Sequence, residues 1–108
     1  MDKLDELSKT IVKFVNDREW DQFHSPANLA KSISIEASEL LECFQWDEEH
    51  YNLENTKDEL ADVVNYCIQM AHALDVDLYD IVLAKLKKTE KKYPIAKCKG
   101  KSTKYTDL

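Results

Sequence analysis

SISIEASELLECFQW, Ser32 to Trp46, is the stretch whose reading decides the fold. At about 100° per residue, Ile33, Ala37, Leu40 and Phe44, with Leu29 just upstream, fall within an arc of roughly 80°, which is the pattern of an amphipathic helix. Glu36 lies at the margin of that arc, and Glu39 about 60° further round. Carboxylates there interrupt the face that a helix normally buries. A second stretch, KDELADVVNYCIQMAHAL from Lys57 to Leu74, repeats the oddity. Its arc holds Leu60, Val63, Tyr66, Cys67, Met70 and Leu74, with Glu59 inside it and Asp62 about 60° to one side.

The rest of the chain supports an all-α domain. One Gly and two Pro in 108 residues leave little of the turn chemistry that a sheet of many strands requires. Leu4, Leu7, Ile11, Phe14 and Val15 predict a first helix from about Asp2 to Asp17. Ser25 followed by Pro26 is a cap and first-turn pair, so a second helix runs from Pro26 to about Phe44. WDEEHYNLEN has no periodicity and reads as a loop. Thr56 with Glu59 three residues on fits a capping box and opens a third helix lasting to about Leu74. Asp77 and Asp80 start a fourth, which Pro94 ends near Tyr93. The sequence therefore predicts a four-helix bundle in one domain, 1–108, with a basic tail from about residue 95.

A net charge of −6 argues against a nucleic-acid duplex as partner, because duplex binding rests on a dense field of Lys and Arg. The three cysteines, Cys43, Cys67 and Cys98, form no C-x-x-C and fit reduced thiols in the cytoplasm. No run of 18 apolar residues occurs, so no membrane span is expected. Ala61, Val64, Ile68 and Ala71 make a second apolar strip on the third helix, which implies assembly of copies, since one small domain cannot easily cover two faces.

An ionised carboxylate kept from water must be protonated, paired with a cation or bound to metal. If the second and third helices pack antiparallel, Glu36, Glu39, Glu59 and Asp62 converge. Four oxygen donors without His or Cys suit a hard cation, Mg²⁺ or Mn²⁺, which takes its other ligands from water and substrate phosphates. That chemistry points to attack of water on a phosphoanhydride, with one carboxylate as general base. Other readings stay open: Glu59 as the closing residue of the capping box, a non-catalytic helical interaction module, and a carboxylate-bridged di-metal bundle. The last normally uses Glu-x-x-His, and His72 has Gln69 at the needed position. On the fourth helix Lys85 lies in the stripe of Leu78, Val82 and Leu86, in line with Thr89 and Tyr93, either snorkelling or meeting phosphate.

The spacing E36-x-x-E39, nineteen residues, then E59-x-x-D62 resembles the motif of the MazG-like nucleoside triphosphate pyrophosphohydrolases. REWDQFHSPANLA (Arg18–Ala30), EASELLECFQW (Glu36–Trp46), DELADVVNY (Asp58–Tyr66), KKYP and KYTDL resemble the short, single-domain branch that includes dCTP pyrophosphatases, over nearly the whole chain. The resemblance implies hydrolysis between the α- and β-phosphates of an NTP or dNTP, with Mg²⁺ on the four carboxylates and a dimer or tetramer of helical pairs. It also implies a nucleobase pocket with Trp20, Phe23, His24 and Trp46, and sugar or phosphate contacts from Tyr66, Lys85, Thr89 and Tyr93; packing is the alternative role for the aromatics. Relatives in that branch often carry Asn where this chain has Thr89, and an apolar residue where it has Asn65.

Overall fold

Five helices, four of them long, make up a computed structural model that describes residues 2–108, with no strand among the described residues. They are α1 (Lys3–Asp17), α2 (Pro26–Glu42), α3 (Leu53–Ala73), α4 (Leu78–Lys92) and the single turn α5 (Ile95–Cys98). The chain forms two compact units, one through Val76 and one from Asp77 to Leu108.

Each long helix opens on a side-chain cap. Asp2, Ser25, Asn52 and Asp77 accept the backbone N–H three residues on, at 2.9 to 3.1 Å. The third of these corrects the sequence reading. α3 starts one turn before Thr56, because Asn52 is at least as good a cap as Thr and captures the Asn55 N–H first. Thr56 then lies inside the helix with its hydroxyl donating to the Asn52 carbonyl at 2.8 Å. Glu59 sits well past the first turn, so it closes no capping box and its carboxylate is free for other work. α2 also ends earlier than expected, at Glu42. Phe44 is drawn into the loop, where its ring centroid lies 4.7 Å from that of Tyr51. The loop itself is tied by Asp47, which accepts from the Glu49 and His50 N–H groups and meets the His50 ring.

α2 and α3 pack antiparallel: Glu36 and Glu39 face Glu59 and Asp62, while Leu29 shares a cavity with Gln69 and His72. The buried apolar side chains Val15, Leu29, Ile68 and Ala71 join α1, α2 and the C-terminal half of α3. Two of them, Ile68 and Ala71, come from the strip that the sequence offered as an assembly surface. That half of the strip is the unit's own core, and Ala61 and Val64 are the half left exposed. Each fully buried Leu or Ile here contributes about 1.5–3 kcal/mol.

α1 and α3 both end in residues with left-handed backbone, Glu19 (φ 55°) and Asp75 (φ 54°). The Trp20 and Val76 N–H groups reach back to the Val15 and Ala71 carbonyls, closing Schellman turns without glycine. In the second unit no α4 residue is buried. Its C-terminal segment is ordered on Tyr93, whose hydroxyl accepts the Tyr105 N–H at 3.1 Å while the two rings meet edge to face at 5.9 Å.

Candidate active site

The antiparallel register of α2 and α3 brings one carboxylate oxygen from each of Glu36, Glu39, Glu59 and Asp62 to within 4.8 Å of one another. The three glutamates are half-buried and Asp62 is exposed. Two residues per helix, one turn apart on facing surfaces, produce this convergence, as the matched offsets on the two helical wheels require.

Four like charges this close cannot all stay ionised without a counter-ion. A hydrogen bond shared with Glu39, then burial, then the charges of Glu39, Asp62 and Glu59 push Glu36 from its ordinary 4.5 up to about 7. Glu59 is raised as well, by a hydrogen bond to Glu39, burial and the neighbouring carboxylates. Glu36 Oε2 and Glu59 Oε2 are shut off from solvent and have no hydrogen-bond partner among the described residues. No lysine or arginine forms an ion pair with the cluster among the described residues. Orphaned oxygens in an all-oxygen donor set fit a divalent hard cation.

The other residues singled out in the sequence fall in several places. Tyr66 is half-buried one turn beyond Asp62 on α3. Trp20 stands edge-on to Phe14 at 5.9 Å, with the Arg18 guanidinium 3.6 Å over the Phe14 ring. Phe23 is 62% exposed in a short 3-10 turn, and Trp46 is 88% exposed beyond the end of α2. His24 is half-buried and lines a cavity of about 110 Å³ between α1, α2 and the C-terminal half of α3. In the second unit Lys85, Thr89 and Tyr93 follow one another along α4. The Thr89 hydroxyl donates to the Lys85 carbonyl at 3.1 Å, and the Tyr93 N–H donates to the Thr89 carbonyl at 3.0 Å.

The cavity holds residues that the sequence reading assigned to no site: Asn16, Asp21, Gln69 and His72 accompany His24, against walls of Val12, Val15 and Leu29. Gln69 is buried, its Nε2 donates to Asn65 Oδ1 at 2.9 Å, and its Oε1 has no partner. The available signal was Asn65 itself. An amide on an apolar helix face, with a second amide four residues on, is a side-chain pair that can hold itself in place.

Comparisons with known proteins agree with one another. A family model, that of the MazG-like family, matches residues 31–108. The dCTP pyrophosphatase 1 of Bos taurus is 34% identical, the alignment covering 97% of this chain and 68% of that protein. The Homo sapiens dCTP pyrophosphatase 1 is 32% identical over 97% of this chain and 67% of its own length. A crystal structure of a pyrophosphatase from Archaeoglobus fulgidus superimposes with a TM-score of 0.76 at 32% identity, covering 87% of this chain and 94% of that one.

Proposed function

Since the chain belongs to the MazG-like family and is a nucleoside triphosphate pyrophosphohydrolase, we propose that it cleaves a deoxynucleoside triphosphate between the α- and β-phosphates. The products are the monophosphate and pyrophosphate. Glu36, Glu39, Glu59 and Asp62 hold Mg²⁺, with Mn²⁺ as a competent substitute. The observation that carries this reading is the convergence of one oxygen from each of four carboxylates within 4.8 Å, two of the residues having a buried oxygen without a hydrogen-bond partner among the described residues. The ion, when bound, neutralises the carboxylates and the charge that builds on the phosphate oxygens.

The chain's own part is positional and basic. Glu36 and Glu39 on α2, facing Glu59 and Asp62 on α3, fix the triphosphate end of the substrate by fixing its counter-ions. A carboxylate of the cluster takes the proton from the attacking water as its oxygen bonds to phosphorus and the bridging P–O bond breaks, releasing the pyrophosphate. Tyr66, one turn along α3, contacts the sugar; Lys85, Thr89 and Tyr93 meet phosphate or sugar; Trp20, Phe23, His24 and Trp46 border the base. The names of the two dCTP pyrophosphatases make dCTP the first substrate to test, and clearing unwanted nucleotides from the pool the proposed role.

The domain is proposed to be one, 1–108, working in the cytoplasm as a dimer or tetramer. Support for assembly comes from the apolar side chains left exposed, among them Leu41, Leu60 and Val64 in the first unit and Val82, Leu83 and Leu86 in the second. No helix among the described residues is long and apolar enough to cross a membrane. The test is pyrophosphate release from a panel of NTPs and dNTPs, with and without Mg²⁺. Release that is independent of a divalent ion, or an unaltered rate in Glu39→Gln, would overturn the proposal.

A further inference from the structure

Asn65 is gripped at one end of its amide and open at the other. Its Oδ1 accepts the Gln69 Nε2 N–H at 2.9 Å. Gln69 is only 9% exposed and its Oε1 is sealed from solvent, so the amide that grips Asn65 is packed in place and cannot swing. Asn65 itself is half-buried. Its Nδ2 makes no hydrogen bond among the described residues and, unlike Gln69 Oε1, is not sealed off. With the oxygen turned toward Gln69, one turn further along α3, the two N–H groups are turned the other way. Side chains on a helix lean toward its N-terminus, so these open donors lie over the turn that holds Asp62.

The place of those donors decides what they meet. Asn65 stands about 60° to one side of Asp62 and Tyr66 about 40° to the other, about 4.5 and 6 Å along the helix axis. The neighbours of Asp62 in the opposite direction, Asp58 and Glu59, are carboxylates, which only accept when ionised. No lysine or arginine forms an ion pair with the cluster among the described residues. Counter-ions on the carboxylates balance charge but leave the outward phosphate oxygens of a nucleotide in need of donors. Along α3 from the cluster the first uncharged donor is Asn65, with Tyr66 just beyond it. When the pyrophosphate end of the substrate is at the cluster and the sugar at Tyr66, the group level with Asn65 is the phosphate that joins them.

We propose that Asn65 binds the substrate through its amide nitrogen, donating to a non-bridging oxygen of the α-phosphate, the one that stays with the nucleoside. Gln69 is the positioning residue: its bond to Oδ1 fixes which end of the Asn65 amide faces the phosphate. A hydrogen bond to a charged oxygen is roughly twice as strong as one between neutral groups, so a single donor held in this way has a measurable effect. The contact exists in the triphosphate and in the monophosphate product, and has no counterpart in free pyrophosphate. This rests on the pyrophosphohydrolase reading for its substrate, and its test separates the two.

The experiment measures, by calorimetry on the full chain, the affinity for Mg²⁺ alone and, with Mg²⁺ present, for pyrophosphate and for the monophosphate of the nucleotide hydrolysed best, dCMP in the first instance. Asn65→Leu should weaken the monophosphate by about ten- to a hundredfold and leave pyrophosphate and Mg²⁺ as in wild type. Asn65→Asp keeps the shape and an oxygen for Gln69, and so should melt near wild type, but it sets a negative charge against the phosphate and should weaken the monophosphate more than Asn65→Leu does. Gln69→Leu should weaken it by a smaller factor, again sparing pyrophosphate. A purely structural role predicts the reverse order, with Asn65→Asp nearer to wild type than Asn65→Leu, as does a contact to a sugar hydroxyl, which can donate to the new carboxylate; either order overturns the assignment. So does an equal loss for monophosphate and pyrophosphate, or a matching loss of Mg²⁺ affinity, which would make Asn65 a partner of Asp62. Pyrophosphate release with monophosphate affinity untouched in both Asn65 variants sinks this inference alone. The expected pattern of monophosphate binding without any hydrolysis sinks the pyrophosphohydrolase reading alone.

Discussion

The groove between α2 and α3 has two ends, and both contain buried oxygens that lack a partner. At the Glu59 end the orphans are carboxylate oxygens, Glu36 Oε2 and Glu59 Oε2; nearly three turns along α3, the orphan is the neutral amide oxygen of Gln69. The difference in charge sets the difference in what each end demands. An ionised oxygen without water needs a proton or a cation, and the hydrogen bonds to Glu39, burial and the neighbouring carboxylates raise Glu36 and Glu59 accordingly. A neutral oxygen asks for no charge, only a donor. One end therefore calls for an ion or a proton and the other only for a neutral donor, so metal and pH should act on the first and leave the second alone.

The largest effect is expected at the charged end. Glu39 is the neighbour common to both shifted glutamates, since Glu36 and Glu59 each share a hydrogen bond with it. Glu39→Gln should lower pyrophosphate release by about 10²–10⁴-fold, as loss of a group acting on the reacting centre does. The same change replaces a like charge by an amide donor, so the metal-free protein should melt higher. Activity lost with stability gained is the signature of a site held at a cost to the fold. A variant that kept its activity and melted lower would make the cluster a structural feature and break the comparison.

Between the two ends and α1 sits the hydrocarbon that holds the groove in register. Leu29 is 1% exposed and packs where α1, α2 and α3 meet. Leu29→Ala should cost about 2–5 kcal/mol, measurable by denaturant unfolding, and should weaken both ends together because it loosens the helix pair that aligns them. Loss at one end alone would show that the two are not aligned by a common core.

The charged end was legible in the sequence and the neutral end was not, for physical reasons. Four carboxylates at matched offsets on two apolar arcs violate the burial pattern twice in the same way, and a repeated violation on facing helices implies one site. Gln69 and Asn65 are single uncharged departures, each tolerable on a helix face, and their pairing appears only when their side chains are seen to bond. The boundary error at α3 has a similar origin. Asn52 and Thr56 are both good caps, and local preference does not choose between them. It mattered, because starting at Thr56 gave Glu59 a capping role that its actual place in the helix rules out. The apolar strip on α3 was seen correctly and half misassigned, since Ile68 and Ala71 meet α1 and α2, a contact between distant segments that periodicity does not reveal.

A smaller effect sharpens the comparison through pH. Glu36 rises from an ordinary 4.5 to about 7, so between those values the folded, metal-free protein binds more protons than the unfolded chain. Stability must then fall as pH rises through that window, and be greatest below it as far as this group is concerned. The metal-free melting temperature should decline from about pH 5 to pH 8. Mg²⁺ should restore it, by more at pH 8 than at pH 5, because the ion replaces the proton at the lower-proton end of the window. Glu39→Gln, by removing the first cause of the shift, should flatten the slope, whereas Gln69→Leu should leave it alone. A slope of equal size in both variants would place its origin outside the carboxylate cluster.

The smallest expected effect lies just past the neutral end, where α3 stops. Asp75 adopts φ 54° there so that the Val76 N–H can close on the carbonyl of Ala71, the last buried residue of the helix. A left-handed conformation strains any residue with a Cβ, aspartate less than most, and glycine relieves it at some cost in the entropy of the unfolded chain. Asp75→Gly should therefore stabilise by about 0.5–1 kcal/mol, read as a modest rise in melting temperature with kcat and metal dependence unchanged. Glu19→Gly, the matching position at the end of α1, should gain more than Asp75→Gly, because glutamate lacks the short side chain that eases aspartate into this region. If Asp75→Gly instead changed kcat or the metal dependence, the C-terminal turn of α3 would be coupled to the carboxylate cluster, and the two ends of the groove would not be independent.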